Sequence, residues 1–335
     1  MSVKISQKLI KYFHNKTILV TGGTGSIGQL IVDVLTKLSV RKIKIFSRDE
    51  QKQFEMHNKF EAYLSKLDFI IGDVRDEASS VEATKNVDII YHCAALKHVP
   101  ICEDFPLEAI KTNTLAAISL IKAAELNQVE RVVVISTDKA VRPVNVMGMT
   151  KALQEKIFLS NRINSKTRFI CVRFGNVVGS RGSVVPLFKE RLENNKPLLV
   201  TDKNMTRFLI TPEDAVTLVL KATLEGQHGQ IYIRKTAACR IIDLAKVMIK
   251  EIKSVEQYPI KFVGIRPGEQ LYESLVSEEE MKRISEENGY LIIDPHWVIR
   301  GKTIPGNFSD YRSDMVRNYM TLKDIKACLK GDGWI

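Results

Sequence analysis

The sequence predicts an α/β protein built on a doubly wound parallel sheet, with a smaller second domain. Three observations predict it. Short β-rich runs alternate with helix-length segments through the first half, a glycine-rich turn follows the first of those runs, and the alternation breaks after about Gly179.

Taken in order, residues 5–13 carry helical apolar spacing, which predicts a short helix packed on its own domain rather than one lying on a membrane surface. Residues 17–20 form the first strand-like run, and residues 30–38 follow with helical spacing. Further strands are predicted at 42–46, 68–71, 87–91 and 131–135. Strands separated this way imply right-handed βαβ crossovers and a sheet covered on both faces. Beyond Gly179, glycine, proline and charge become denser, as in residues 179–186 and 263–269. A strand-like stretch at 230–234 and a helical one at 241–252 lie among them. The expected division is 1–178 for the first domain and 179–335 mainly for the second, with some segments returning to the first. Residues 286–302 carry no readable chemical signal, and no internal repeat or low-complexity tract is present.

Hydrophobic residues make up 44% of the 335 and charged residues 27%, which excludes a mainly disordered chain. The formal charge of +11 suits an anionic partner, but the basic residues form no long run, so no nucleic-acid partner is expected. Cys93, Cys102, Cys171, Cys239 and Cys328 are odd in number and widely spaced, matching neither a disulfide framework nor a zinc pattern. They read as reduced thiols of a cytoplasmic protein without a metal. Residues 1–16 lack the long apolar core and cleavage site of a signal peptide, and no stretch approaches the length of a membrane span.

The turn TGGTGSIG (21–28) follows the first strand and opens the first helix. Its glycines suit a tight turn, close approach of backbone to a pyrophosphate, and close helix–strand packing. The helix N-terminus then presents free N–H groups to the phosphates. Gly22, Thr24, Gly25, Ser26, Ile27 and Gly28 are therefore the candidates for holding a dinucleotide. At the end of the second strand stand Ser47 and Arg48, with Lys52 one turn later. These suit the 2′-phosphate of NADP, while Asp49 keeps NAD open. Asp73 and Val74 follow the third strand, where a carboxylate can reach the adenine. Ala94 and Ala95 end the fourth, where small side chains leave room for the cofactor.

The segment STDK (136–139) ends a strand, and NVMGMTK (145–151) follows. With SRDE (47–50), AALKHVP (94–100), RFGNVVGSRGSVVP (173–186), MTRF (205–208) and RPGEQLYE (266–273), the chain resembles the extended short-chain dehydrogenase/reductases. Within them it is similar to the UDP-N-acetylglucosamine 4,6-dehydratases. The resemblance spans nearly the whole chain and implies a Rossmann domain over 1–178, a nucleotide-sugar domain mainly over 179–335, and a homo-oligomer, dimer or hexamer. It also implies that UDP-N-acetylglucosamine is dehydrated for surface polysaccharide or protein glycosylation.

The family's usual Tyr-x-x-x-Lys pair is broken here: Met147 stands at the Tyr position and Lys151 is intact. A Met there also occurs among dehydratases similar to this chain, so activity is expected. The resemblance implies Asp138 as the acid at C6, Lys139 as the base at C5, Thr137 on the 4-hydroxyl, and Lys151 on the nicotinamide ribose. An ordinary Lys is a poor base, so Lys139 is expected to have a depressed pKa, and Asp138 must be protonated when it acts. The proton of the 4-hydroxyl would pass to Asp138 or to water through Thr137. The same matches place Lys97 and His98 at the sugar, Arg173 and Asn176 at the substrate entrance, and Arg181, Arg207 and Arg266 near phosphates. They place Glu269 on the uridine ribose. Rival readings are dehydration with inversion at C5, a UDP-hexose 4-epimerase, and a non-catalytic NADP-binding regulator.

Overall fold

The computed structural model describes residues 5–160, 166–298, 308–317 and 319–335. Parts of two sequence readings, at residues 1–4 of the N-terminal segment and 299–302 of the uninformative stretch, lie outside them. The strands are β1 Thr17–Thr21, β2 Lys42–Ser47, β3 Leu67–Ile71, β4 Ile89–His92, β5 Arg131–Ile135, β6 Arg168–Arg173, β7 Asn176–Val177 and β8 Leu198–Val200. They continue with β9 Thr206–Ile210, β10 Ile231–Arg234, β11 Ala238–Arg240, β12 Ile260–Phe262, β13 Ser274–Val276, β14 Ile284–Glu287, β15 Tyr290–Ile293 and β16 Tyr311–Arg312.

One nine-stranded sheet dominates, in the order β14-β15-β10-β6-β5-β4-β1-β2-β3. From β3 through β1 to β10 neighbouring strands pair parallel. The expected all-parallel sheet is corrected at one edge, where β15 pairs antiparallel with both β10 and β14. The stretch that carried no readable signal thus supplies an edge hairpin. β10, β14 and β15 come from beyond residue 178 and join the main sheet.

Alternating residues of each central strand feed two cores. Ile18, Val20, Ile43, Ile45, Val133 and Val172 meet one layer, which includes Leu9 and Phe13 of the N-terminal helix Gln7–Phe13. Leu19, Phe46, Ile90, Val132, Val134 and Cys171 meet the other, with Leu120, Ala124 and Phe158. A strand buried on both faces needs no polar alternation, which is why these runs read as continuous β-branched stretches. A third core, with Val185, Phe188, Leu244 and Met248, belongs to the second lobe. The small sheet β12-β8 lies there, β11-β9-β7 reaches it through Leu209 and Cys239, and β13-β16 packs on the second layer of the main sheet through Leu275, Val276 and Tyr311.

Arg173, expected at the substrate entrance, is instead sealed in the interior at 2% exposure. Its Nε and Nη2 donate to Glu155 at 3.1 and 2.6 Å, and Nη1 and Nη2 donate to Glu280 at 3.0 Å each. The remaining Nη1 hydrogen goes to the Leu275 carbonyl at 2.9 Å. All five guanidinium donors are used, so none is left for a substrate. Arg173 ties β6 to the helix Val146–Phe158 and to the segment after β13.

Removing one partner of a buried pair strands the other charges, so Arg173→Met should cost about 3–5 kcal/mol in chemical denaturation. Burial raises the Glu280 carboxyl, but Arg173 outweighs it and holds the pKa at about 2, below the ordinary 4.5. A depressed carboxyl stabilises above its unfolded pKa, so wild-type stability should fall as pH drops from about 4.5 towards about 2. Arg173→Met should lose this part of the acid sensitivity.

Candidate active site

The glycine turn closes with the Gly25 amide donating to the Gly22 carbonyl at 2.9 Å. Gly22 lies at φ +63°, and a Cβ there would stand 2.7 Å from the Ala94 backbone, so the loop and the end of β4 touch main chain to main chain. Gly25 caps the helix Ser26–Thr36 without a side-chain hydrogen bond, leaving its first-turn N–H groups to an anion. Gly28 is buried within that turn and Ile27 packs on the core. Thr24 donates to Ser47 Oγ at 3.3 Å, linking the loop to the end of β2.

Arg48 is exposed there, 3.4 Å from Asp73. Lys52 pairs with Asp49, whose other oxygen accepts the Lys52 amide at 3.0 Å and caps the helix Glu50–Lys59. Asp73 also pairs with Arg75 at 2.6 Å. Val74 turns its side chain into the core, so only its backbone faces outward. Ala95 is exposed beside Ala94.

Lys151 is buried in the helix Val146–Phe158. Its Nζ donates to the Ile135 carbonyl at 2.6 Å and to Gln154 Oε1. Gln154 Nε2 in turn donates to the Asn113 carbonyl at 2.7 Å and meets His92 Nε2 at 3.2 Å, and His92 Nδ1 meets Thr21 Oγ1 at 2.8 Å. Burial lowers the Lys151 pKa to about 8, outweighing the opposing pull of Cys171, Glu155 and Cys93. Burial, then Lys151, lowers His92 to about 3, so its ring is neutral and serves as a spacer. Two of three ammonium hydrogens are used, leaving one for a ribose hydroxyl. An uncapped helix end, a loop lying against the backbone at the end of β4, and this spare donor together fit a dinucleotide.

Thr137, Asp138 and Lys139 follow β5. Thr137 donates to Asp138 Oδ1 at 2.8 Å, and Lys139 Nζ reaches the same oxygen at 3.1 Å. Asp138 is buried, and among the described residues its Oδ2 has no partner. Gly148 brings the next helix against this turn: a Cβ there would lie 2.3 Å from the Lys139 carbonyl. Met147 packs with Cys102 and Ala109 in a small apolar cluster. Asn145 caps the helix through the Gly148 amide at 2.7 Å and donates to the Gly268 carbonyl at 2.8 Å, tying in the RPGE turn.

Sequence reasoning missed Glu273, buried just before β13, whose Oε1 lies 3.1 Å from Lys139 Nζ. It closes the RPGEQLYE stretch, so its letter was in view, but only the fold brings it to Lys139. The expected depression of the Lys139 pKa is corrected. Burial pulls the ammonium down, yet Asp138 and Glu273 together push it above the ordinary lysine value. Burial also pushes the Glu273 carboxyl up, against Lys139.

Arg207, expected on a diphosphate, is buried. Its Nη1 donates to the Thr206 and Leu271 carbonyls at 2.7 and 3.2 Å, and Nη2 to the Gln270 carbonyl at 2.8 Å. Its Nε faces Glu273 at 3.7 Å, so it braces residues 270–273 instead of offering a fork to phosphate. Arg181, placed with the substrate, comes to the cofactor loop: its amide donates to Ser26 Oγ at 3.2 Å, and its charge helps lower Asp49. Lys97 donates to the Arg181 carbonyl at 2.5 Å, and His98 lies against Gly182. Asn176 is half-buried with Oδ1 unpartnered among the described residues. Glu269 accepts from the Arg266 amide at 3.2 Å and from Thr201 at 3.4 Å, while the exposed Arg266 guanidinium pairs with no described residue.

The chain belongs to the polysaccharide biosynthesis protein family, which matches residues 18–295. It is 43% identical over 332 residues to a Methanocaldococcus jannaschii protein described as an uncharacterized membrane protein, covering 97% of this chain and 98% of that one. Among the described residues here, no helix is long and apolar enough to cross a membrane. It is 41% identical over 332 residues to a UDP-glucose 4-epimerase of Rickettsia bellii, covering 95% and 96% of the two chains. The X-ray structure of Pen from Bacillus thuringiensis superposes with a TM-score of 0.91 at 33% identity, covering 97% of this chain and 99% of that one.

Lys151 loses its charge as pH rises through about 8. Affinity for the nicotinamide dinucleotide should therefore be weaker at pH 9 than at pH 7 in a fluorescence titration. Lys151→Met should bind weakly at both, and a wild type with equal affinity at the two values would contradict this role.

Proposed function

We propose that this protein is an NADP-dependent UDP-N-acetylglucosamine 4,6-dehydratase, making a UDP-4-keto-6-deoxy-N-acetylhexosamine for surface polysaccharide or glycan assembly. The observation that carries the reading is the Thr137-Asp138-Lys139 turn, a carboxyl and an ammonium 3.1 Å apart beside the fitted dinucleotide loop. Dehydration needs a base at C5 and an acid at C6, and this turn supplies both kinds of group. When bound, the nicotinamide accepts a hydride from C4 and returns it to C6, so the sugar is neither oxidised nor reduced overall.

The chain's own residues handle the protons. Thr137 binds the 4-hydroxyl and passes its proton to Asp138 through the 2.8 Å contact, which arms Asp138 as an acid. That route needs no phenol, and Met147 contributes apolar surface only. Asp138 then protonates the departing C6 hydroxyl. Lys151 holds the ribose, Lys97 and His98 the sugar, Arg266 the diphosphate and Glu269 the uridine ribose. NADP is favoured because both Asp49 oxygens are engaged by Lys52, while Ser47 and Arg48 stand at the strand end.

A second reading, a UDP-hexose 4-epimerase, is favoured by the name borne by the Rickettsia relatives. It requires oxidation and reduction at C4 alone and leaves the acid without a task at C6. The protein as purified, incubated with UDP-N-acetylglucosamine in D2O and followed by proton NMR, should produce a 6-deoxy methyl signal with deuterium at C5. Asp138→Asn and Lys139→Ala should each slow methyl formation by about 10²–10⁴-fold. A C4 epimer without a methyl would establish the epimerase, and near-wild-type rates in both variants would overturn the assignment.

A further inference from the structure

We propose that Glu273 is a positioning and proton-holding residue that acts through Lys139: it takes a proton from the Lys139 ammonium so that the amine can take one from C5, and later gives it back. The proposal rests on the dehydratase reading and supplies what that reading lacks, since a lysine flanked by two carboxylates is not a free amine at rest.

The geometry is a three-member bridge. Lys139 Nζ lies 3.1 Å from Asp138 Oδ1 and 3.1 Å from Glu273 Oε1. The two carboxylates come from segments 135 positions apart, at the end of β5 and before β13, and both residues are at most 5% exposed. The charged groups facing Lys139 are Asp138 from its own turn, Glu273, and Arg207 from β9. Arg207 stands 3.7 Å from Glu273 and is fastened to three backbone carbonyls, so Glu273 is aimed from behind. Two cations and two carboxylates balance at rest. Burial pushes the Glu273 carboxyl up, which makes it the member suited to carry a proton for part of the cycle.

The protons close. Oxidation at C4 releases the 4-hydroxyl proton to Asp138 through Thr137. A proton first moves from Lys139 Nζ to Glu273 Oε1, and the C5–H bond then breaks as its proton goes to the lone pair of the resulting amine, so lysine ends the step as an ammonium. The C5 electron pair forms the C5–C6 double bond as the C6–O bond breaks, and the oxygen leaves as water with the Asp138 proton. When hydride returns to C6, the relay runs backwards and protonates C5. Asp138 and Glu273 end as carboxylates and Lys139 as an ammonium, as they began.

Glu273→Gln keeps size and an acceptor for Lys139 but cannot hold the proton, so it separates a relay from a brace. Measured by methyl formation with UDP-N-acetylglucosamine, kcat should fall about 100-fold with KM nearly unchanged. Its remaining activity should rise with pH, because Lys139 must then lose its own proton before it can act. Glu273→Asp should recover part of the rate and keep the wild-type shape of the pH profile. A brace alone would lower the rate equally at every pH. A dehydrating wild type matched in rate and pH profile by Glu273→Gln overturns the proposal and leaves the dehydratase reading intact. A wild type that makes no methyl overturns both. Should Glu273→Gln fail to melt cooperatively, Glu273→Asp decides: a partial rate with the wild-type profile supports the relay, and an inactive, folded Glu273→Asp overturns it.

Discussion

The Lys139 ammonium is held between two buried carboxylates that the chain delivers from distant segments. Asp138 arrives on the turn after β5, and Glu273 on the segment entering β13. Taking an ammonium out of water is costly unless opposite charges and hydrogen bonds replace its hydration. Each carboxylate faces the same penalty. The arrangement therefore depends on both segments being in place, with Arg207 fastened to residues 270–271 and Asn145 tying the Gly268 turn to the next helix.

Three cations, two of them buried and Lys139 half-buried, illustrate how partners decide role. Arg173 spends every donor on two glutamates and a carbonyl, which makes it a strut. Lys151 hydrogen-bonds neutral groups, burial outweighs the pull of Glu155 and lowers its pKa, and one donor stays available. Lys139 has two carboxylates within 3.1 Å, keeps its proton, and can pass protons between them. The same side-chain chemistry yields a support, a ligand and a relay according to the charges around it.

Much of this was legible beforehand. The central strands announce themselves because both faces are buried and the residues are β-branched, and the glycine turn lies where its spacing places it. The edge hairpin escaped because β14, Ile284-Ser-Glu-Glu287, has a half-exposed, polar pattern that resembles a loop. The arginines were harder still. Arg173, Arg181, Arg207 and Arg266 sit in recognisable stretches, yet an Arg reads the same whether its guanidinium meets a glutamate, a carbonyl or water. Glu273 was invisible for a related reason, since no local pattern links a carboxylate to a lysine 134 positions away. The elevated proton affinity of Lys139 follows from Asp138 and from that unseen neighbour together.

The most direct test is a crystal structure of the protein with UDP-N-acetylglucosamine bound. The account predicts the 4-hydroxyl on Thr137 Oγ1, C6 beside the Asp138 carboxyl, and C5 within about 3.5 Å of Lys139 Nζ, with Glu273 behind the lysine. A sugar ring seated away from this turn, with Asp138 and Lys139 making no contact to C5 or C6, would contradict it.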